Sequence, residues 1–201
     1  MKKGVIIAAL IIMLLIFLSK MKKDETNVIG LKFEGPQDYI NRLKPIAKEL
    51  QVKTGIPYLF ILAQTALETG YGKSSLVYEA GNFAGIKAKS GQPFVTKMTY
   101  EYVKNPNDYP TRDKSKDLYD AKTGKTRIFL PQNFAKYNSL IEGLTAYIKV
   151  LLLPRYANAF NYTNDVNKFT DEIWKAGYAT DINYPSKIKS LIQTIKTKYG
   201  A

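Results

Sequence analysis

The stretch IPYLFILAQTALETGYG, residues 56–72, determines how the rest of the chain can fold. Pro57 suits the first turn of a helix, where its missing N–H leaves no hydrogen bond unmade. Apolar side chains then follow on nearly every face, a pattern typical of a helix buried inside a domain. Gly70 and Gly72 can adopt the positive φ that ends a helix. The stretch therefore predicts a central, buried helix that ends near residue 70.

Glu68 lies just before this helix end, and Gln64 lies one turn earlier on the same face. Burial and the negative end of the helix dipole both raise the pKa of a carboxyl group in this position. A carboxyl group that stays protonated near neutral pH can act as a general acid. Glu68 is therefore a candidate catalytic acid, and the alternative is a surface glutamate that aids solubility.

Cysteine and histidine are both missing from the 201 residues. Their absence excludes cysteine nucleophiles, Ser–His–Asp triads, histidine-ligated zinc and disulfides. We expect no metal site and no cofactor. Any chemistry has to use Asp, Glu, Tyr, Ser or Lys, which favours a carboxylate-driven reaction such as glycoside cleavage.

The formal net charge of +13 indicates a polyanionic partner. Nucleic acid, anionic lipid and the acid-rich bacterial wall all qualify. The sequence carries no nucleic-acid-binding module, phosphate-binding loop or zinc-finger spacing, so we expect no nucleic acid.

Residues 4–19 form an apolar run without a charge, and lysines flank it. We interpret residues 1–23 as an N-terminal transmembrane signal anchor, with a cleaved signal peptide as the alternative. Residues 24–35 then form a polar linker, and residues 36–201 form one folded domain.

Hydrophobic periodicity predicts the elements around the central helix. Residues 38–52 have a helical pattern that Pro45 should bend or break. Phe94–Val103 alternates like a strand, Asn105–Lys125 is a long exposed loop, and Thr126–Leu130 returns as a second, antiparallel strand. Further helices are expected at residues 139–153, 166–176 and 185–199, the first with the S-x-x-E spacing of a capping box. The fold class is therefore α+β, mainly α.

Five stretches occur in an order that resembles one known family. They are AQTALETGYGKS (63–74), NFAGIKA (82–88), TYEYVKN (99–105), FAKYNSLIEGL (134–144) and GYATDINYPSKI (177–188). Together they are similar to the glucosaminidase domain of glycoside hydrolase family 73, whose members include flagellar peptidoglycan hydrolases, autolysins and phage lysins. The resemblance covers residues 37–199.

The resemblance implies a lysozyme-like helical core with a small antiparallel β lobe over the active-site groove. It implies that Glu68 is the general acid and that Glu101, on the strand lobe, is a second catalytic carboxylate. The expected substrate-binding residues are Gln64, Asn82, Phe83, Tyr178 and Tyr184.

The implied activity is hydrolysis of the β-1,4 bond after N-acetylglucosamine in peptidoglycan. A lytic transglycosylase or muramidase that uses the same Glu68 is the alternative, and a non-catalytic, membrane-anchored wall-binding module is a third. Such an enzyme needs its domain outside the cytoplasmic membrane. The predicted localisation is therefore membrane-anchored and extracytoplasmic, or in a virion membrane if the chain is phage-encoded.

Overall fold

The helix predicted from residues 56–72 forms the centre of the domain. The structure is a computed structural model that describes residue 30 and residues 32–201. Helix α2 (Tyr58–Thr69) begins directly after Pro57 and ends at Gly70, which has a φ of 58°. Nine of its twelve residues are buried. It packs against α1 (Pro36–Thr54) and α6 (Tyr184–Tyr199), so its apolar faces are covered by other helices.

Helix α1 runs without interruption through Pro45, so of the predicted bend or break the break is wrong, and a bend stays a prediction. Leu43, Ala47 and Leu50 are fully buried and hold the helix on both sides of the proline. Pro45 and Asn41 face solvent, where water can satisfy the carbonyl group that proline leaves without an N–H partner.

The predicted strand at Phe94–Val103 is confirmed as β1, and it forms one edge of a three-stranded antiparallel sheet in the order β1-β3-β2. The return strand, β3, is longer than predicted and spans Lys125–Ala135. The predicted loop also contains a short strand, β2 (Leu118–Asp120), which pairs with β3. The sheet forms a separate β lobe, residues 94–135, beside the helices.

The helices predicted at residues 139–153, 166–176 and 185–199 agree with the observed ones to within two residues at each end, whereas the short helix at Ser75–Ala80 was not predicted. Ser139 caps its helix by accepting a hydrogen bond from the N–H of Glu142, as the capping-box spacing predicts. The remaining helices are α3 (Ser75–Ala80), α4 (Leu140–Leu151) and α5 (Val166–Lys175), with a 3-10 segment at Pro154–Tyr162 between the last two. The observed class is the predicted one, mainly helical with a small antiparallel sheet.

Helix α4 lies very close to the turn that follows α3. A Cβ atom at Gly143 would overlap the carbonyl oxygen of Gly81 and press on the ring of Phe83. The residue at position 143 therefore has to be glycine for this turn to sit where it does.

The predicted membrane-anchored localisation is corrected. Among residue 30 and residues 32–201, no helix combines the length and hydropathy needed to cross a membrane. The predicted anchor at residues 1–23 lies outside the described residues, as does most of the predicted linker.

Candidate active site

Glu68 lies in the last turn of α2, where the buried helix reaches the surface of the domain. Its side chain is exposed, while its neighbours Ala66 and Thr69 on the same helix are buried. The Thr69 hydroxyl donates to the carbonyl of Thr65 and accepts from the N–H of Gly72, which fixes the helix end. Glu68 is thus an accessible carboxylate on a rigid support.

Gln64 joins Glu68 to Tyr178. Its Nε2 donates to Oε1 of Glu68 at 3.0 Å and to the hydroxyl oxygen of Tyr178 at 2.6 Å. The side chain of Gln64 is fully buried. Gln64 and Tyr178 are 114 positions apart in the chain, and they are hydrogen-bonded to each other next to the candidate acid.

Although Glu68 as a residue is exposed, its carboxyl group is partly withdrawn from water, and this desolvation raises its pKa above the ordinary value, while the hydrogen bond from Gln64 offsets part of that rise. The pKa of Tyr178 is also raised, first by burial and then by the negative charge of Glu68. A carboxyl group with a raised pKa beside neutral donors has the protonation behaviour that a general acid needs.

Three tyrosines form a cluster beside Glu68. The ring of Tyr178 lies 5.6 Å from that of Tyr184 and 6.0 Å from that of Tyr156, measured between centroids. The pKa of Tyr184 is raised mainly by burial. The nearby Tyr178 and Glu68 raise it further. We call Tyr156, Tyr178 and Tyr184 the tyrosine cluster, and Tyr178 connects it to Gln64 through its hydroxyl oxygen.

Glu101 lies on β1, opposite Ile128 of β3. Its Oε1 pairs with Nζ of Lys87 at 2.7 Å, and both side chains are partly exposed. Lys97 lies on the same face of β1 and pairs with Glu79 of α3 at 2.6 Å. Glu101 therefore points from the β lobe towards the side on which the helices lie.

Asn82, Phe83 and Tyr184 are all buried, with at most 4% of each residue exposed. The Asn82 amide donates to the carbonyls of Ile86 and Ala135 at 2.9 Å each, and its oxygen accepts from the N–H groups of Ala84 and Ile86. In this structure Asn82 ties the turn at residues 82–86 to the end of β3. Substrate binding by these three residues and by Gln64 stays a prediction.

The sequence does not single out Lys87 or Tyr156. Lys87 occurs within the NFAGIKA stretch, but no spacing links it to Glu101, since the pairing depends on how the turn meets the sheet. Tyr156 follows the proline that ends α4 and carries no signal of its own. Across the described part of the chain, no three acidic side chains come together as a metal site would need.

The chain is similar in sequence to known cell-wall enzymes. The peptidoglycan hydrolase FlgJ of Salmonella typhimurium is 32% identical over 166 residues, which is 80% of this chain and 46% of that protein. The chain thus spans about half the length of the curated relatives it matches.

Two solved structures have a similar fold. The glycoside hydrolase domain from Salmonella typhimurium FlgJ has a TM-score of 0.59 and 28% identity, covering 80% of this chain and 88% of that one. The catalytic domain of the autolysin Auto from Listeria monocytogenes also has a TM-score of 0.59, with 25% identity, covering 92% of this chain and 90% of that one.

The family model for glucosaminidase, described as mannosyl-glycoprotein endo-beta-N-acetylglucosaminidase, matches residues 44–197. That match includes the last turn of α2, the β lobe and the tyrosine cluster. The chain therefore belongs to the glucosaminidase family of glycoside hydrolases.

Proposed function

We propose that this domain hydrolyses the glycan strand of peptidoglycan at the β-1,4 bond after N-acetylglucosamine. Family membership and the relatives named as peptidoglycan hydrolases support the substrate class. The observation that carries the proposal is the environment of Glu68, an accessible carboxyl group with a raised pKa that is bonded to a buried amide.

In the proposed reaction, Glu68 protonates the glycosidic oxygen as the bond to the sugar C1 breaks. Protonation lets the leaving sugar depart as a neutral alcohol, and the positive charge that develops at C1 then needs a nucleophile. The negative carboxylate that remains on Glu68 is stabilised by the Gln64 amide, which already donates to it.

Water completes the proposed reaction, and Glu101 is our candidate for the base that activates it. Its partner Lys87 keeps a compensating positive charge 2.7 Å away. The acetamido group of the substrate is the other group that can assist at C1. Tyr178 is proposed to support that group or the sugar, because its hydroxyl lies beside the acid and its own proton is not used in the bond from Gln64.

Analysis of the products tests the type of reaction. Digested peptidoglycan would be reduced with borohydride and examined by mass spectrometry. We expect reduced glucosamine ends. Ends in 1,6-anhydromuramic acid would instead support a lytic transglycosylase, and reduced muramic acid ends would support a muramidase. If the protein binds peptidoglycan but produces no new glycan chain ends, only the hypothesis of a non-catalytic wall-binding module would remain.

A further inference from the structure

The Gln64 amide makes two hydrogen bonds that together constrain the candidate acid and its neighbouring tyrosine. Nε2 carries two protons; one is donated to Oε1 of Glu68 and the other to the hydroxyl oxygen of Tyr178. Gln64 is fully buried, so it cannot exchange these partners for water or substrate without a rearrangement of the helix core.

We infer that Gln64 is a positioning residue: it reserves Oε2 of Glu68 for the acidic proton and leaves the hydroxyl proton of Tyr178 free to donate to a bound sugar. This inference rests on the proposed function, in which Glu68 is the acid. It assigns Gln64 a role through other residues, in place of direct contact with substrate.

The first half of the inference follows from donor and acceptor chemistry. An oxygen that already accepts an N–H bond cannot also direct an O–H proton along the same line. When Glu68 is protonated, Oε1 is therefore the carbonyl oxygen and Oε2 carries the proton. During the reaction that proton moves from Oε2 to the glycosidic oxygen, the C1–O bond breaks, and the electron pair left on Oε2 completes a carboxylate that keeps its bond from Gln64.

The second half concerns Tyr178. Its oxygen accepts the second N–H of Gln64, so its own O–H proton has to point elsewhere. The tyrosine cluster restricts the ring, because Tyr156 and Tyr184 both pack against it. A single buried amide thus sets the orientation of two groups on different parts of the fold.

The proposal predicts a pH effect with a definite sign. The groups that act electrostatically with Glu68 are Gln64 on α2, Tyr147 on α4, Tyr184 on α6 and Tyr178 in the loop before α6. The bond from Gln64 favours the ionised form of Glu68 and lowers its pKa. Removing the amide therefore raises the pKa of Glu68, and activity persists to higher pH because the acid stays protonated longer.

The test compares Gln64→Met with the wild type, using the full chain and soluble peptidoglycan glycan fragments. Methionine has nearly the same length but donates no hydrogen bond. We expect kcat at the optimum to fall about 10–100-fold, KM to change by less than about threefold, and the alkaline limb of the kcat profile to move to higher pH. Gln193→Met, at an exposed position of α6, is the matched control and should change none of these.

Two companion variants separate positioning from general loosening. Gln64→Glu regains one O–H donor when its carboxyl group is protonated, so its activity relative to the wild type should recover as the pH falls. Tyr178→Phe keeps the bond between Gln64 and Glu68, so its alkaline limb should stay in place although kcat falls. A core that merely loosened would expose Glu68 to water and move the limb of Gln64→Met to lower pH.

Titration of the Glu68 carboxyl group by carbon-13 NMR gives a readout that does not depend on activity. A higher pKa in Gln64→Met supports the inference, and an unchanged or lower pKa overturns it. A lower pKa would mean either that the core has loosened around Glu68 or that Gln64 accepts a hydrogen bond from the protonated carboxyl group, and either result contradicts the inference. If the wild type leaves peptidoglycan intact, the proposed function fails, while the titration still reports on the contact between Gln64 and Glu68.

Discussion

The two candidate catalytic carboxylates have different partners. Glu68 accepts a hydrogen bond from the buried, neutral amide of Gln64, whereas Glu101 forms an ion pair with the partly exposed Lys87. Glu68 stands at the end of a largely buried helix, and Glu101 stands on an edge strand of a small sheet. Burial raises the pKa of Glu68. Glu101 instead has the positive charge of Lys87 beside it, at 2.7 Å.

The contrast indicates how one residue type can serve two roles. A carboxyl group whose pKa is raised by burial keeps its proton more readily, which suits the role of acid that we propose for Glu68. Glu101, partly exposed on the lobe, is accessible to the water that we propose it activates. The geometry of the two supports differs as well. Glu68 is carried by a largely buried helix, whereas the position of Glu101 depends on where the sheet lies relative to the helices.

The largest effect is expected from Glu68→Gln. An amide keeps the shape and can still accept a hydrogen bond from Gln64, but it cannot deliver a proton. We expect kcat on peptidoglycan to fall by about 10³-fold or more, with the fold retained by circular dichroism. Glu79→Gln, which changes a surface carboxylate of α3, is the control and should retain activity within about twofold. Near-normal clearing of sacculi by Glu68→Gln would remove the proposed acid.

The helices and the β lobe should also differ in how they tolerate an added methyl group. Gly143→Ala forces a Cβ into the carbonyl of Gly81, so we expect a loss of about 3 kcal/mol of unfolding free energy. Gly124→Ala, in the turn between β2 and β3, has free space and only the strain of a φ of 66°, with an expected loss of about 1 kcal/mol. Urea unfolding of both variants measures the difference, and equal losses would contradict it.

Glu101→Gln tests the role of the lobe. If Glu101 activates water, kcat should fall about 10²-fold, since general-base catalysis typically contributes that much. In a complex with a glycan fragment, we also expect the carboxyl groups of Glu68 and Glu101 to lie roughly 6.5–9.5 Å apart. Asp120→Asn, on β2, is the control in the same sheet. Full activity of Glu101→Gln would assign the assisting role to the acetamido group of the substrate.

The smallest effect concerns stability and pH. Because the folded state raises the pKa of Glu68, it binds that proton more tightly than the unfolded chain does. Stability is therefore lost as the pH rises from the unfolded value of about 4.3 through the folded pKa. At pH 7 we expect Glu68→Gln to melt about 1–2 °C above the wild type, and the gap to close below about pH 4. If the difference in melting temperature between Glu68→Gln and the wild type widened at acidic pH, that result would contradict a raised pKa of Glu68.

Most of the helical part could be predicted because each segment carries its own signals. The ends of α2 follow from Pro57 and Gly70, and the start of α4 follows from the spacing of Ser139 and Glu142. Pro45 misled the prediction because local propensity favours a break there, whereas burial of α1 on both sides keeps the helix intact. Strand β2 could not be predicted from three residues, since its pairing with β3 is set by the fold of the lobe.

The site was predictable only where its residues share one element. Gln64 and Glu68 are one turn apart on α2, so their contact follows from helix geometry. The contact between Gln64 and Tyr178 depends on how the loop before α6 packs, and periodicity holds no information about that packing. The predicted role of Tyr178 came from the family resemblance, and the pairing of Lys87 with Glu101 had no signal in the sequence.

The four hydrogen bonds of Asn82 also have a mechanical consequence. Three of them close the turn at residues 82–86, and the fourth joins the turn to Ala135, the residue that pairs with Phe94 at the start of β1. Lys87, the residue after the turn, pairs with Glu101 near the other end of β1. The turn is therefore tied to both ends of this strand. Any displacement of the turn would reach the Glu101 carboxylate through the ion pair as well as along the backbone.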